Sequence, residues 1–283
     1  MELIKTAREM RDWATKQKQL GKTIGFVPTM GYLHPGHLSL VEKAKSQNDL
    51  VVLSIFVNPM QFGPQEDFSV YPRNIKQDSL LAEKAGVDLI FYPGTEEIYP
   101  QYPPLTSVEV KGITEELCGK SRPGHFTGVA TIVTKLLNIV QPRRAYFGQK
   151  DYQQYLVIRQ LASDLNLSTF IEMAPIIREE DGLAMSSRNA YLSPTEREQA
   201  LALNQALEIC RRLYLGGEKE VANLIKAIKE RLLQEPSLKI DYVEIRKAAD
   251  LGPLATINIS AIVAIAAYLG KTRLIDNLLL EVE

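Results

Sequence analysis

The run KTIGFVPTMGYLHPGHLSLVEKAKSQNDLVVLSIFVN, residues 22–58, decides the architecture. KTIGFVP (22–28) is apolar and flanked by Gly and Pro, the pattern of a buried strand. HPGHLSLVEKAKSQ (34–47) follows, with Leu38, Val41 and Ala44 at helical spacing. DLVVLSIFVN (49–58) is then almost unbroken β-branched and apolar sequence, as expected of a strand covered on both faces. Beyond a turn-rich loop, a helix over 75–85 and a third strand in VDLIFYP (87–93) continue the alternation. This rhythm predicts a parallel, doubly wound sheet.

After a less regular segment around 94–122 the pattern resumes. A long apolar helix (124–142), a short strand (144–149), a helix (151–166) and STFIEMAPII (168–177) complete it. From residue 178 the texture changes. Two charged amphipathic helices, 194–214 and 218–234, are separated by Gly216 and Gly217. KIDYVEIRKA, AIVAIAAYLG and TRLIDNLLL then read as three strands without intervening helices, hence antiparallel. The expectation is an α/β chain: a Rossmann-like domain over 1–177 and a smaller α+β domain over 178–283. The N-terminal 22 residues read as one polar amphipathic helix and not a signal peptide.

The 33 basic and 34 acidic side chains leave a net charge of −1, so no electrostatic footprint for nucleic acid or an anionic membrane is expected. The longest apolar stretch, 261–270, is too short to span a bilayer. Cys118 and Cys210 lie in no metal-ligand spacing, which fits a reducing compartment. A soluble, cytoplasmic protein is expected.

Four clusters carry chemistry. His34 and His37, two of only three histidines, fall at a strand-to-helix turn with Gly36 between them. A helix N-terminus presents unpaired N–H groups and the positive end of the dipole, so two imidazoles there suit a phosphate chain. The plainer reading has one histidine capping the helix. FGQKDYQQ (147–154) follows a short strand, where Lys150 can reach a phosphate, Asp151 a metal or ribose hydroxyl, and one of Gln153 and Gln154 the crevice. GLAMSSRNAYLSP (182–194) offers two hydroxyls and a guanidinium, although it also reads as a linker before a helix capped by Ser193. NPMQFGPQEDFSVYPRN (58–74) is a long polar loop carrying Asn58, Gln61 and the carboxylates Glu66 and Asp67.

PTMGYLHPGH resembles the His-x-Gly-His signature of the adenylate-forming nucleotidylyl transferases, and MSSRN stands where that superfamily carries its Lys-Met-Ser-Lys-Ser loop. More narrowly, PTMGYLHPGH, FVNPMQFGPQEDFSVYPR, CGKSRPGHFTGVATIVTKLLNIVQP, YFGQKDYQQ and MSSRNAYLSP, in this order, resemble the pantoate–β-alanine ligase family. The resemblance implies condensation of pantoate with β-alanine through pantoyl adenylate, with ATP as co-substrate, Mg²⁺ as cofactor, and a homodimer. It carries the ATP site to Met30, Gly31, Tyr32, Leu33, His34, Pro35, Gly36 and His37. It extends that site to Gly148, Gln149, Lys150 and Asp151, and to Ile177, Met185, Ser186, Ser187 and Arg188. His37 takes the proton-donor role, with His34, Lys150, Ser186, Ser187 and Arg188 as its catalytic companions. Gln61 and Gln154 match the pantoate-binding glutamines, Pro28 and Met30 the apolar wall, Asn58 the amine's entry and Asp78 a magnesium ligand. The smaller domain is expected to act as a lid.

Overall fold

Six strands form one all-parallel sheet: β1 (Glu2–Ile4), β2 (Ile24–Thr29), β3 (Leu50–Ile55), β4 (Leu89–Phe91), β5 (Arg144–Gly148) and β6 (Phe170–Ala174). Their order across the sheet is β1-β4-β3-β2-β5-β6. The structure is a computed structural model and describes residues 1–64 and 66–282; Gln65 of the long loop and Glu283 lie outside the described residues. The chain divides into two units, Met1–Pro175 and Ile176–Glu283.

In the first unit the helices are α1 (Ala7–Gln19), α2 (Pro35–Gln47), α3 (Ile75–Ala85), α4 (Thr95–Ile98), α5 (Leu117–Ser121), α6 (His125–Val140) and α7 (Tyr152–Asp164). Right-handed crossovers place α2 and α3 on one face, and α1, α6 and α7 on the other. Both faces of β3 are therefore covered, which is why LVVLSI lacks the alternation of a half-exposed strand. Val41, Ala44, Leu53, Ala82 and Ile90 are buried together on the α2–α3 side.

One sequence expectation is corrected. The chain does not begin with a single helix: Glu2–Ile4 pairs in parallel with Leu89–Phe91 as an edge strand. Thr6 then caps α1, its hydroxyl accepting from the Glu9 amide at 3.2 Å. A three-residue edge strand buries too little to leave a periodic signal, but Thr6 followed three residues later by Glu9 is a readable start signal.

The second unit packs α8 (Pro194–Leu215) and α9 (Val221–Leu232) with an antiparallel sheet of β7 (Leu238–Lys247), β8 (Ala261–Leu269) and β9 (Thr272–Leu280). Its own core joins Leu203, Leu207 and Cys210 of α8, Leu224 and Ile228 of α9, and Val263 and Ile265 of β8. The apolar run 261–270 is thus largely the buried central strand of that sheet. Among the described residues no helix is long and apolar enough to cross a membrane.

Candidate active site

The chain leaves β2 toward β3 on one side and leaves β5 toward β6 on the other, so the sheet's switch point lies between β2 and β5. Their pairing covers only Gly25 and Phe26 against Arg144 and Ala145, whereas β2 stays paired with β3 through Thr29. Pro28, which has no N–H to give a ladder, stands where pairing with β5 has ended. Pairing of the two strands ends there, and it is outside the C-terminal ends of strands at such a switch point that open α/β sheets form their ligand crevice.

The turn out of β2 is built by its neighbours. Thr29 Oγ1 donates to the Ser54 carbonyl at 2.7 Å and accepts from the Gly31 amide at 3.1 Å. Gly31 and Tyr32 both have positive φ, 86° and 52°, which is costly for tyrosine. Asp78, 2% exposed, holds this shape by accepting from the Tyr32 amide at 2.9 Å and the Leu33 amide at 2.7 Å. Asp78, expected from the resemblance to bind magnesium, is therefore a backbone clamp: each carboxylate oxygen is engaged by a main-chain N–H. Asp78→Asn places an NH₂ against one of those amides. It should cost about 1–3 kcal/mol of stability and raise the KM for ATP, leaving the magnesium concentration for half-maximal activity unchanged. Denaturant unfolding and a magnesium titration check this, and a shift confined to the magnesium requirement contradicts it.

Both histidines cap α2, reciprocally. His34 Nδ1 accepts from the Gly36 amide at 3.2 Å, and His37 Nδ1 accepts from the His34 amide at 3.4 Å. The rings lie 4.0 Å apart between centroids. An Nδ1 that accepts cannot carry the ring proton, so in the neutral form each Nε2 bears the N–H. Burial, followed by the charges of His34 and Lys150, pushes His37 well below the ordinary histidine value. His37 is accordingly neutral with Nε2–H as its donor, and the plainer capping reading holds for both histidines. Lys150 lies in the 3₁₀ turn Gln149–Asp151 directly after β5, across the switch point and close enough to influence His37.

Gln61 closes a 3₁₀ turn, Pro59–Gln61, after β3. Its amide Oε1 accepts from Asn58 Nδ2 at 3.2 Å and its Nε2 lies 3.1 Å from the sulfur of Met30. Asn58, expected near the amine's entry, is 1% exposed and fully engaged. Its Nδ2 also donates to the Gly128 carbonyl at 3.1 Å, and its Oδ1 accepts from the Tyr99 hydroxyl at 2.8 Å and the Met60 amide at 3.3 Å. Asn58 thus orients Gln61. A Cβ at Gly128 would collide with the Met60 carbonyl, so glycine there is required by close approach of the turn to α6. Of the two α7 glutamines, Gln153 is buried and bonds the Cys118 amide and the Ile113 and Glu116 carbonyls. Gln154, one position on, is half-exposed.

Sequence reasoning missed His125. It opens α6, its Nδ1 lies 2.8 Å from the Gln61 carbonyl and its Nε2 3.1 Å from Arg122 Nη1. Arg122 grips Glu66 with Nε–Oε1 at 2.6 Å and Nη2–Oε2 at 2.5 Å. Burial would raise the Glu66 carboxyl, but the bonds and charge of Arg122 outweigh it and hold it low. Arg-x-x-His ahead of an apolar helix was the available signal, but its partners lie more than fifty residues away.

Burial and the Arg122 charge lower His125 to about 4. The native state keeps this ring neutral where the unfolded chain, near 6.5, takes up a proton. Its contribution is therefore fully present above about pH 6.5 and is lost as pH falls toward 4, by at most about 3 kcal/mol. His37 shifts in the same direction. The melting temperature should drop across that window, and His125→Asn, which cannot titrate, should flatten part of the slope. An unchanged slope by calorimetry contradicts this.

In the second unit, Ile177 accepts from the Met185 amide at 3.0 Å, closing a loop whose Arg178 pairs with buried Asp276 at 2.6 and 3.0 Å. Arg197 ties down Glu179 and Asp181 at 2.7 and 2.6 Å, and Asn189 donates to Glu179 at 2.7 Å. Ser186 caps the turn Ser187–Tyr191 by accepting from the Arg188 amide at 3.2 Å, and Ser187 is buried. The segment 185–188 thus sits on a braced platform within its own unit.

The six-stranded parallel sheet, its switch point between β2 and β5 and the helix-capping histidines beyond β2 define a doubly wound α/β protein. The family model described as Pantoate-beta-alanine ligase matches residues 2–279, and the chain belongs to that family. It is 55% identical over 282 residues, the full length of both chains, to a pantothenate synthetase of Caldicellulosiruptor saccharolyticus. It is 53% identical to that of Thermotoga neapolitana, covering 99% of this chain and 100% of the relative. Among solved structures, pantothenate synthetase from Thermus thermophilus matches with a TM-score of 0.93 at 46% identity, over 98% of this chain and 99% of the other. The ligase from Francisella tularensis, solved with β,γ-ATP and β-alanine, matches with a TM-score of 0.79 at 38% identity, over 99% and 97%. The reaction follows from the family: pantoate and β-alanine are joined in an ATP-dependent condensation.

Proposed function

We propose that the condensation runs in two steps at the switch point of the first unit. The pantoate carboxylate attacks the α-phosphorus of ATP and expels pyrophosphate; the amine of β-alanine then attacks the acyl adenylate and expels AMP. A carboxylate cannot lose oxide at neutral pH, so the first step supplies a leaving group, and its difficulty is the approach of two anions.

The observation that carries this reading is the reciprocal cap, which leaves His34 and His37 as Nε2–H donors beside Lys150 at one crevice. The residues 30–37 and 148–151 cradle the nucleotide. Gln61 and Gln154 take the hydroxyls and carboxylate of pantoate, with Pro28 and Met30 beside its methyls. His37 acts by hydrogen bonding to the phosphates, since its Nδ1 is engaged by the His34 amide.

Among the described residues no cluster of three or more His, Cys, Asp or Glu suits a metal, and Asp78 is committed to the backbone. In this reading the Mg²⁺ ion comes with the triphosphate, as its preference for phosphate and water ligands allows. We also take the chain as a cytoplasmic homodimer, the two free buried thiols suiting a reducing compartment; light scattering tests the dimer.

The test is an omission assay with ATP, Mg²⁺, pantoate and β-alanine, following AMP. AMP should accumulate only with the complete set. Equal AMP release when a phosphorylated acceptor replaces pantoate defeats the proposal.

A further inference from the structure

Behind Gln61 lies a chain of charged and titratable groups to which the reaction above assigns no role. Its proton assignment is unambiguous. The Gln61 carbonyl only accepts, so His125 Nδ1, 2.8 Å away, carries the ring proton. Nε2 of the neutral ring then accepts from Arg122 Nη1 at 3.1 Å. A second arm of the same guanidinium, Nη2, donates to the Gln61 carbonyl at 3.3 Å, while Nε and Nη2 hold the Glu66 carboxylate. The Gln61 carbonyl thus receives two donors, which fills its two lone pairs.

We propose that His125 and Arg122 are positioning residues for Gln61, with Glu66 orienting the guanidinium; this rests on Gln61 being a pantoate-binding amide. Gln61 is held from both ends. Asn58 fixes its side-chain oxygen while bonding the Gly128 carbonyl in the first turn of α6. His125, the first residue of that helix, fixes its main-chain oxygen. The turn Pro59–Gln61 is thereby fastened to α6 at two points, and the amide nitrogen is directed toward Met30 at the mouth of β2. Removing the rear fastening frees the turn to shift, and a displacement of about an ångström at a substrate-orienting group is enough to reduce turnover severely. A staple that merely stiffened the loop carrying Glu66 would affect stability without distinguishing one substrate from another.

The experiment compares His125→Ala, His125→Asn, Glu66→Gln, Gln61→Ala and the His125→Ala/Gln61→Ala double variant, with thermal unfolding to confirm that each is folded. His125→Ala should raise the KM for pantoate about tenfold with the KM for ATP changed less than about twofold. His125→Asn, whose amide N–H can reach the same carbonyl, should recover most of that loss. Glu66→Gln should shift the pantoate KM about threefold in the same direction. The double variant should be no worse than Gln61→Ala. Equal changes in both KM values, no rescue by Asn, or full additivity in the double variant overturn the positioning role. A native pantoate KM in Gln61→Ala overturns it differently, by removing the assignment of Gln61 itself.

Discussion

Lys150→Ala lowers the rate of adenylate formation by about a hundred- to a thousandfold while the protein remains folded. Lys150 follows β5 directly, on the side of the crevice opposite the β2 turn, and its charge is felt by His37. In the adenylation step a carboxylate approaches a triphosphate, and charge accumulates on the phosphates before any leaves. An ammonium held in place beforehand meets that charge without reorganisation. Pantoate-dependent exchange of pyrophosphate into ATP measures the step without β-alanine, and the melting temperature should move little because Lys150 stands at a crevice and not in the core. Exchange within about threefold of the native rate would remove Lys150 from the phosphate site.

The second large effect distinguishes two roles for one residue. His37→Ala should cost about a hundredfold or more in the same exchange, whereas His37→Gln should retain a substantial part, about a tenth of the native rate. The Gln side-chain N–H can stand where Nε2–H stands, but an amide cannot supply a titrating proton. If His37 were a general acid, Gln would be as damaging as Ala, and native activity would require a group protonated near neutral pH. Its Nδ1 accepts the His34 amide, and burial lowers the ring's proton affinity, so the donor role is the one the local geometry favours.

These roles were unequally legible in the sequence. The doubly wound sheet could be read from 22–93 because strand burial and helical periodicity are local signals, and LVVLSI and HPGHLSLVEKAKSQ each carry one. The pairing of β2 with β5 joins residues more than a hundred positions apart, so periodicity could suggest the crevice but not locate it. Asp78 shows the limit from another side. An acidic residue in the first turn of α3 reads as a complement to the helix dipole, or by resemblance as a metal ligand. Only tertiary packing shows its carboxylate receiving the Tyr32 and Leu33 amides. His125 was hidden for the same reason, and Asn58, though visible as a candidate, could not be placed: their meaning lies in contacts with Gln61, Arg122, Tyr99 and Gly128 that no spacing rule encodes. The two histidines of α2 read in the sequence as either a cap or a phosphate site, and the fold makes them a reciprocal cap.

The most direct measurement follows oxygen. Pantoate labelled with ¹⁸O in its carboxylate is turned over with ATP and β-alanine, and the AMP, pyrophosphate and amide product are weighed by mass spectrometry. If the carboxylate attacks the α-phosphorus, one labelled oxygen leaves with AMP, one stays in the amide, and pyrophosphate carries none. Label in a phosphate released other than AMP, or AMP without label, contradicts the acyl-adenylate account.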